Sequence, residues 1–264
     1  MPELPEVEIY SRYFAEHALQ QRIERVRVRD DRILGDIRKD KFAGALRGRT
    51  FSRVRRHGKH LFAEAIGRQE PATWLHLHFG MTGDLAYYTV DEPRFARVVF
   101  DFDNGSHLAF EDMRLFGVVD VTPDPDAFIA EHRLGPDPLD PTFTLRRFRQ
   151  LLAPRRGAVK ALLMSQDIIA GVGNLYADET LFQTSIHPRR AVDRLSDAEV
   201  KAIFASMRRI LREVISRKAR NAGYPPRYLV HHREEGDRCP ACGGVIHRTV
   251  VFGRTTYFCS GHQL

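Results

Sequence analysis

Residues 239–262 read CPACGGVIHRTVVFGRTTYFCSGH, with two ligand pairs, Cys239-Pro-Ala-Cys242 and Cys259-Ser-Gly-His262, separated by 16 residues. This is the ligand spacing of a zinc ribbon: each pair occupies a tight knuckle, and the stretch between them returns as a hairpin to one ion. Thiolates with an imidazole in a tetrahedral set select zinc over magnesium or calcium. The tail from residue 236 holds only 29 residues, too few for a core of its own, so one Zn2+ is expected to supply its stability. Four protein ligands close the site, which makes it structural. His247 is the alternative to His262 as fourth ligand, and a stray disulfide or free buried thiols are the plainer readings of the same cysteines. All 3 cysteines of the chain lie here, so no disulfide framework is expected.

Upstream of the tail the sequence is helical. Residues 144–154, 159–164, 174–182 and 196–216 each fit an amphipathic helix. Ser196 with Glu199 is a capping-box pair opening the longest one. A glycine-rich turn, Ala170-Gly171-Val172-Gly173-Asn174, separates two of them. Residues 122–142 contain five prolines and read as an interdomain connection enclosing a short helix. Before it, residues 23–121 carry the β-like runs RVRVR, RTFSRVRR, HLFAEAI, TWLHLHF, RVVFDF, HLAFE and FGVVDV, with turn signals at Met81-Thr82-Gly83 and Asp103-Asn104-Gly105. Short strands at this spacing predict a sandwich or barrel. Residues 2–18 predict a helix whose first turns hold Glu3, Glu6 and Glu8, with Pro2 at the first helical position.

The composition, 43% hydrophobic and 28% charged over 264 residues, excludes a disordered or fibrous chain. No apolar run approaches the roughly 18 residues of a membrane span, and the N-terminus has no basic region before an apolar one. A soluble, cytoplasmic protein is the expectation. The net charge of +7 is unevenly placed. Residues 1–140 carry 20 Lys+Arg against 24 Asp+Glu, and residues 141–264 carry 21 against 10. The basic half predicts a polyanionic partner, nucleic acid before an anionic membrane.

The N-terminus is itself a chemical candidate. Met1 before Pro2 is a good context for methionine removal, which leaves Pro2 with a free secondary amine. Such an amine attacks an aldehyde-level carbon to form an iminium. An α-amino group starts at a pKa of about 8, and the positive end of a helix lowers it, so part is unprotonated at neutral pH. Glu3 and Glu6 lie beside it in sequence as acid or base. Without further context, the same residues describe an ordinary acidic helix start.

MPELPEVE at the N-terminus resembles the formamidopyrimidine-DNA glycosylase/endonuclease VIII family of base-excision repair enzymes. The resemblance continues through Arg56-His57-Gly58-Lys59-His60-Leu61, His78-Phe79-Gly80-Met81-Thr82-Gly83 and Asp112-Met113-Arg114-Leu115-Phe116-Gly117. It extends to the stretch from Leu163 to Glu179, which is similar to the helix–two-turn–helix motif, and to Gly253-Arg254-Thr255-Thr256-Tyr257-Phe258-Cys259, similar to the finger tip. Six blocks stand in the family's order.

The resemblance implies an α+β protein of two domains: an N-terminal helix with a β-sandwich, and a helical helix–two-turn–helix domain with a zinc-ribbon hairpin finger. Its boundaries would fall at 1–125 (helix and sandwich), 126–143 (linker), 144–235 (helix–two-turn–helix) and 236–264 (finger). It implies a glycosylase/AP lyase in which Pro2 attacks C1′ of a damaged nucleotide, Glu3 is the acid/base partner and Glu6 a supporting carboxylate. Lys59 and Arg254 would hold phosphates and assist the eliminations. Met81, Arg114 and Phe116 would fill the void left by an extruded nucleotide. Asn174 and Lys160 would contact phosphates, and Cys239, Cys242, Cys259 and His262 would bind the zinc. The partner would be damaged DNA, double-stranded with single strands left open, and the protein would be a monomer. Taken alone, Met81 and Phe116 read as core residues, and Lys59 and Lys160 as solvated lysines.

The sequence departs from the family's pattern at Met113 and Leu115, where the family has proline and arginine, and at His262, where it has cysteine. Residues 217–238 are shorter than the stretch that caps an oxidised purine in one branch, so ring-opened or oxidised purine and oxidised pyrimidine both stay open as the excised base. A DNA-binding homologue without the chemistry is the alternative from another class; a zinc-dependent hydrolase ranks below it.

Overall fold

The computed structural model describes residues 1–68, 71–218 and 223–264. The chain forms two compact units, Met1–Pro2 with Glu6–Arg133, and Glu3–Pro5 with Leu134–Leu264. The unit boundary falls inside the stretch expected to be a linker. Residues 126–133 belong to the first unit, and the finger belongs with the helices of the second.

The first unit is a sandwich of two four-stranded antiparallel sheets. One runs β1 (Ile23–Val28), β6 (Ala96–Phe102), β7 (His107–Asp112), β5 (Gly83–Tyr88). The other runs β2 (Thr50–His57), β3 (His60–Ile66), β4 (Thr73–His78), β8 (Val118–Thr122). Leu61, Ala63, Leu75 and Leu77 of the second sheet share a core with Val98, Phe100, Leu108 and Phe110 of the first. Helix α1 (Leu4–Ala18) adds Val7, Tyr10, Phe14 and Ala18, an apolar stripe at helical spacing. Two elements escaped the sequence reading. Strand β5 opens on Gly83 and alternates only weakly, and helix α2 (Lys39–Leu46) buries just Phe42 and Leu46.

Strand β4 is buried on both faces because helix α3 (Pro125–Glu131) covers its outer side. The Phe128 ring lies 4.4 Å from His76 and 5.4 Å from Phe62. His60 Nδ1 and His76 Nε2 are 2.9 Å apart in this layer, and His78 lies 5.0 Å from His60. Burial holds His60 down to about 2 and His76 down to about 3, so both rings are neutral at physiological pH.

The second unit packs α4 (Leu145–Leu152), α5 (Val159–Met164), α6 (Asn174–Gln183) and α7 (Asp197–Ser216) around a core that includes Leu4, Phe148, Leu163, Tyr176, Met207, Leu211 and Val214. The capping box at Ser196 and Glu199 is present in both of its hydrogen bonds. Strands β9 (Ile246–Val251) and β10 (Arg254–Cys259) form the finger hairpin. Phe252 and Gly253 both have positive φ, +49° and +69°, the pattern of a two-residue primed turn. The finger's base packs Cys239, Ile246 and Cys259 against Phe182 and Leu229.

Candidate functional site

Helix α1 begins at Leu4, two residues after the expected start at Pro2. Glu3 explains the difference. Its side chain, 2% exposed, accepts from the backbone N–H of Gly173 at 2.8 Å, Leu175 at 2.9 Å and Tyr176 at 3.3 Å. Leu4 N–H donates to the Gly171 carbonyl at 3.0 Å. The carboxylate thus sits on the unsatisfied amides and positive end of α6, which requires residue 3 to remain outside the helix of α1. Gly173 is essential to the fit, because a Cβ there would overlap the Glu3 carboxylate. Pro2, half-buried, is the residue joined to this fixed carboxylate, and Glu6 is half-buried on α1.

Around the N-terminus of α6, Asn174 donates from Nδ2 to the Thr255 carbonyl at 3.0 Å. Lys160 does not match the expected phosphate contact. It is fully buried, its Nζ 2.7 Å from Asp178 Oδ1 and 2.6 Å from Thr256 Oγ1. An ammonium enclosed this way is committed to the protein, because freeing it would strand a buried carboxylate. Burial pushes the lysine down from its ordinary range, opposed by the Asp178 charge. Arg254, by contrast, is exposed at the first position of β10.

In the first unit, Gly58 and Lys59 form the tip between β2 and β3, with Gly58 at φ +55°. Arg56 fixes this tip, donating from Nε to Glu8 at 2.9 Å and from a terminal nitrogen to the Gly58 carbonyl at 3.2 Å. Lys59 is half-buried there, close enough to His78 for its charge to help keep that ring neutral, second to burial.

Met81, Arg114 and Phe116 are brought together by two interlocked loops. The buried Asp112 carboxylate accepts from Thr82 Oγ1, from Arg114 N–H at 3.1 Å and from Gly117 N–H at 2.7 Å. Gly80, at φ +53°, lies where a side chain would overlap the Phe116 backbone. The Arg114 guanidinium stands over the Phe116 ring at 5.1 Å. Met81, Met113 and Phe116 are exposed by 42%, 55% and 54%, so the reading of Met81 and Phe116 as core residues does not hold. Met113 and Leu115 are compatible with the loop: the first points outward, and the second takes φ +56° at the tip.

The sulfurs of Cys239, Cys242 and Cys259 lie within 4.8 Å of one another. Cys242 and Cys259 are 3.6 Å apart. That is far beyond the roughly 2.05 Å of a disulfide and near the ~3.8 Å edge of a tetrahedron with 2.3 Å zinc–sulfur bonds. Gly244 N–H points at Cys242 Sγ from 3.4 Å, as a thiolate knuckle requires. These residues fit a metal with three thiolates. No histidine joins the set among the described residues. His262, expected as the fourth ligand, instead places Nε2 2.9 Å from the Phe182 carbonyl oxygen, and His247 Nε2 lies 3.1 Å from Ser260 Oγ.

Sequence reasoning missed Asp178 and Arg233. Arg233 lies 2.8 Å from Asp178, which also accepts from Tyr257 N–H at 3.4 Å. No periodic pattern links positions so far apart in the chain. Residues 219–222, within the shortened 217–238 stretch, lie outside the described residues.

Together, the sandwich, the helical unit with a carboxylate on its glycine turn and the thiolate finger define a two-unit α+β class, and comparison with known proteins gives the family. Residues 1–119 match the formamidopyrimidine-DNA glycosylase N-terminal domain, and residues 134–224 match the formamidopyrimidine-DNA glycosylase H2TH domain. The formamidopyrimidine-DNA glycosylase of Desulforamulus reducens is 33% identical over 100% of this chain and 99% of its own length. That of Heliobacterium modesticaldum is 35% identical over 98% of both. Among solved structures, a complex of Lactococcus lactis Fpg with DNA containing an abasic site superposes with a TM-score of 0.87 at 26% identity, covering 99% of each chain. MutM in complex with DNA containing carbocyclic 8-oxo-G gives 0.88 at 26% identity, again covering 99% of each. The chain belongs to the formamidopyrimidine-DNA glycosylase family.

Proposed function

We propose that this chain is a bifunctional DNA glycosylase and AP lyase of base-excision repair, acting on damaged DNA. The observation that carries the reading is the family match over residues 1–119 and 134–224, together with a formamidopyrimidine-DNA glycosylase that is 33% identical over 100% of the chain. Relatives seen with abasic-site and 8-oxo-G DNA support the substrate class.

In this reading, methionine removal exposes the Pro2 amine, whose lone pair attacks C1′. The N–C1′ bond forms, and the glycosidic bond breaks with its electrons leaving on the base, which takes up a proton. The nitrogen then passes its proton to the Glu3 carboxylate, and its lone pair opens the sugar ring as an iminium. The ring oxygen departs with the C1′–O bond pair and is protonated by Glu3. Loss of a C2′ proton expels the 3′ phosphate, and a second elimination expels the 5′ phosphate. Lys59 and Arg254 balance the phosphate charges, and Glu6 supports the acid/base pair. Asn174 acts at a phosphate as well. Met81, Arg114 and Phe116 occupy the space vacated by the extruded nucleotide, and their exposure on a stapled loop pair supports this role.

One structural Zn2+ would be held by Cys239, Cys242 and Cys259, where it would stabilise the finger and take no part in the reaction. Among the described residues no helix is long and apolar enough to cross a membrane, which is compatible with a cytoplasmic setting.

Borohydride reduction on abasic DNA tests the reading. The expected result is a covalent adduct at Pro2 and, for Pro2→Gly, much slower base removal with DNA affinity nearly intact. A processed N-terminus with no adduct would leave the DNA-binding homologue without chemistry as the correct description. Duplexes carrying ring-opened purine, oxidised purine or oxidised pyrimidine rank the excised bases.

A further inference from the structure

We propose that Asp178 is a positioning residue: with Lys160 it clamps the start of β10 and thereby sets where Arg254 is presented. The proposal rests on the role given to Arg254 above and adds what holds it.

Three consecutive finger residues are gripped by α5 and α6. Thr255 offers its carbonyl to Asn174 Nδ2 at 3.0 Å and to Lys160 Nζ at 3.4 Å. Thr256, fully buried, meets Lys160 Nζ through Oγ1 at 2.6 Å. Tyr257 donates its N–H to Asp178 at 3.4 Å, and its ring lies under the Arg233 guanidinium at 4.9 Å. Asp178 joins the grips, with Lys160 at 2.7 Å on one oxygen and Arg233 at 2.8 Å on the other. Arg254 is the next residue beyond the gripped segment.

Stability does not explain such an arrangement. The side chains of Lys160 and Asp178 are both 0% exposed, and a buried ion pair holds a fold no better than well-packed apolar side chains of similar volume. What the charges add is direction. The thiolate site anchors only the far end of the hairpin, at Cys259, about 17 Å along the strand from Arg254 at ~3.4 Å per residue. A two-stranded hairpin is marginally stable by itself; Arg189 holds the β9 side near the tip, through Thr249 Oγ1 at 2.8 Å and the Val250 carbonyl at 3.1 Å, and the clamp holds the β10 side that carries Arg254.

The test uses the full-length, zinc-loaded chain and the variants Asp178→Asn and Thr256→Val, each alone and combined with Arg254→Ala. Thr256→Val keeps the ion pair and removes one hydroxyl, so it decides the matter if Asp178→Asn does not fold. Hydrogen exchange at residues 254–257 is expected to rise about tenfold or more, while the Ile246 and Cys259 end changes little. The salt dependence of binding to an abasic-analogue duplex is expected to flatten by roughly one unit of slope, as for Arg254→Ala. Combining either variant with Arg254→Ala should flatten it no further. Unchanged exchange at the tip, or slope effects that add, overturns the proposal. If tip and slope respond but the wild-type chain traps no adduct on abasic DNA, the clamp stands and the enzymatic reading fails.

Discussion

Gly173→Ala isolates the carboxylate at the start of α6. Gly173 has φ −123°, which any residue adopts, so the substitution acts through space alone. The new Cβ would lie 2.8 Å from Glu3 Oε2 and closer still to Cδ and Oε1. Restoring ordinary van der Waals contact moves the carboxylate by about 1 Å. The amides now at 2.8 and 2.9 Å then fall outside hydrogen-bonding range. Hydrogen bonds to a charged group contribute about 1.5–3 kcal/mol each, so losing two costs about 3–6 kcal/mol. For a unit of this size that lowers Tm by about 10–20 °C. A misplacement of about 1 Å also costs about 10²-fold in a positioned reaction. Calorimetry and single-turnover base release measure the two effects, with Gly44→Ala as control. Gly44 lies in α2 with open space around it, and alanine there should stabilise by about 0.5–1 kcal/mol. If Gly173→Ala melts and reacts like the wild type, Glu3 is not held as described and its assigned role loses its basis.

Arg254→Ala should flatten the salt dependence of DNA binding by roughly one unit of slope, and an unchanged slope in a filter-binding titration would mean that this arginine does not reach the backbone. Cys242→Ala should reduce zinc from one ion per chain to none and expose the finger to proteolysis, with the sandwich unaffected; full zinc by elemental analysis would contradict the ligand assignment. The histidine layer makes the first unit acid-sensitive. Its rings stay neutral when folded but protonate when unfolded near pH ~6.5, so stability is complete above that pH and falls below it, towards the folded values of about 3 and 2. Each such ring contributes a slope of up to about 1.4 kcal/mol per pH unit, and His76→Phe should make denaturant midpoints measurably less steep between pH 6.5 and 4. An identical slope in that variant would show that His76 titrates normally in the folded chain.

Local chemistry made much of the architecture legible. The cysteine knuckles, the Ser196–Glu199 box and the helical repeat of α5 and α7 are each encoded within a few residues and formed at or near the expected positions, whereas α6, expected to be amphipathic, is buried from Tyr176 to Phe182 on every side. Seven of the eight sandwich strands carried a readable β pattern. Strand β5 did not, because a Gly83 start and half-exposed tyrosines leave little alternation; α2 was lost for lack of a capping side chain and a full apolar stripe. The loop carrying Met81 and that carrying Arg114 and Phe116 were each visible as motifs, but nothing in the sequence joins Thr82 to Asp112.

Burial is where sequence and structure part. Lys160 and Asn174 stand on adjacent helices in positions that equally suit a solvated face, and only the packing of the finger against α5 and α6 encloses the lysine. His262 has the right spacing for a ligand, yet spacing fixes only how far a ring can reach; the Phe182 carbonyl determines where Nε2 points. Glu3 reads as one of several acidic residues at a helix start, and only the fold brings the amides of Gly173, Leu175 and Tyr176 to it from about 170 residues further along the chain. The sequence alone determined most of the elements, the basic half and the family, because propensity, charge and ligand spacing are short-range properties. Which charges are buried, paired or left facing solvent was decided by tertiary structure, since desolvation depends on what packs above a side chain and not on its neighbours in the chain.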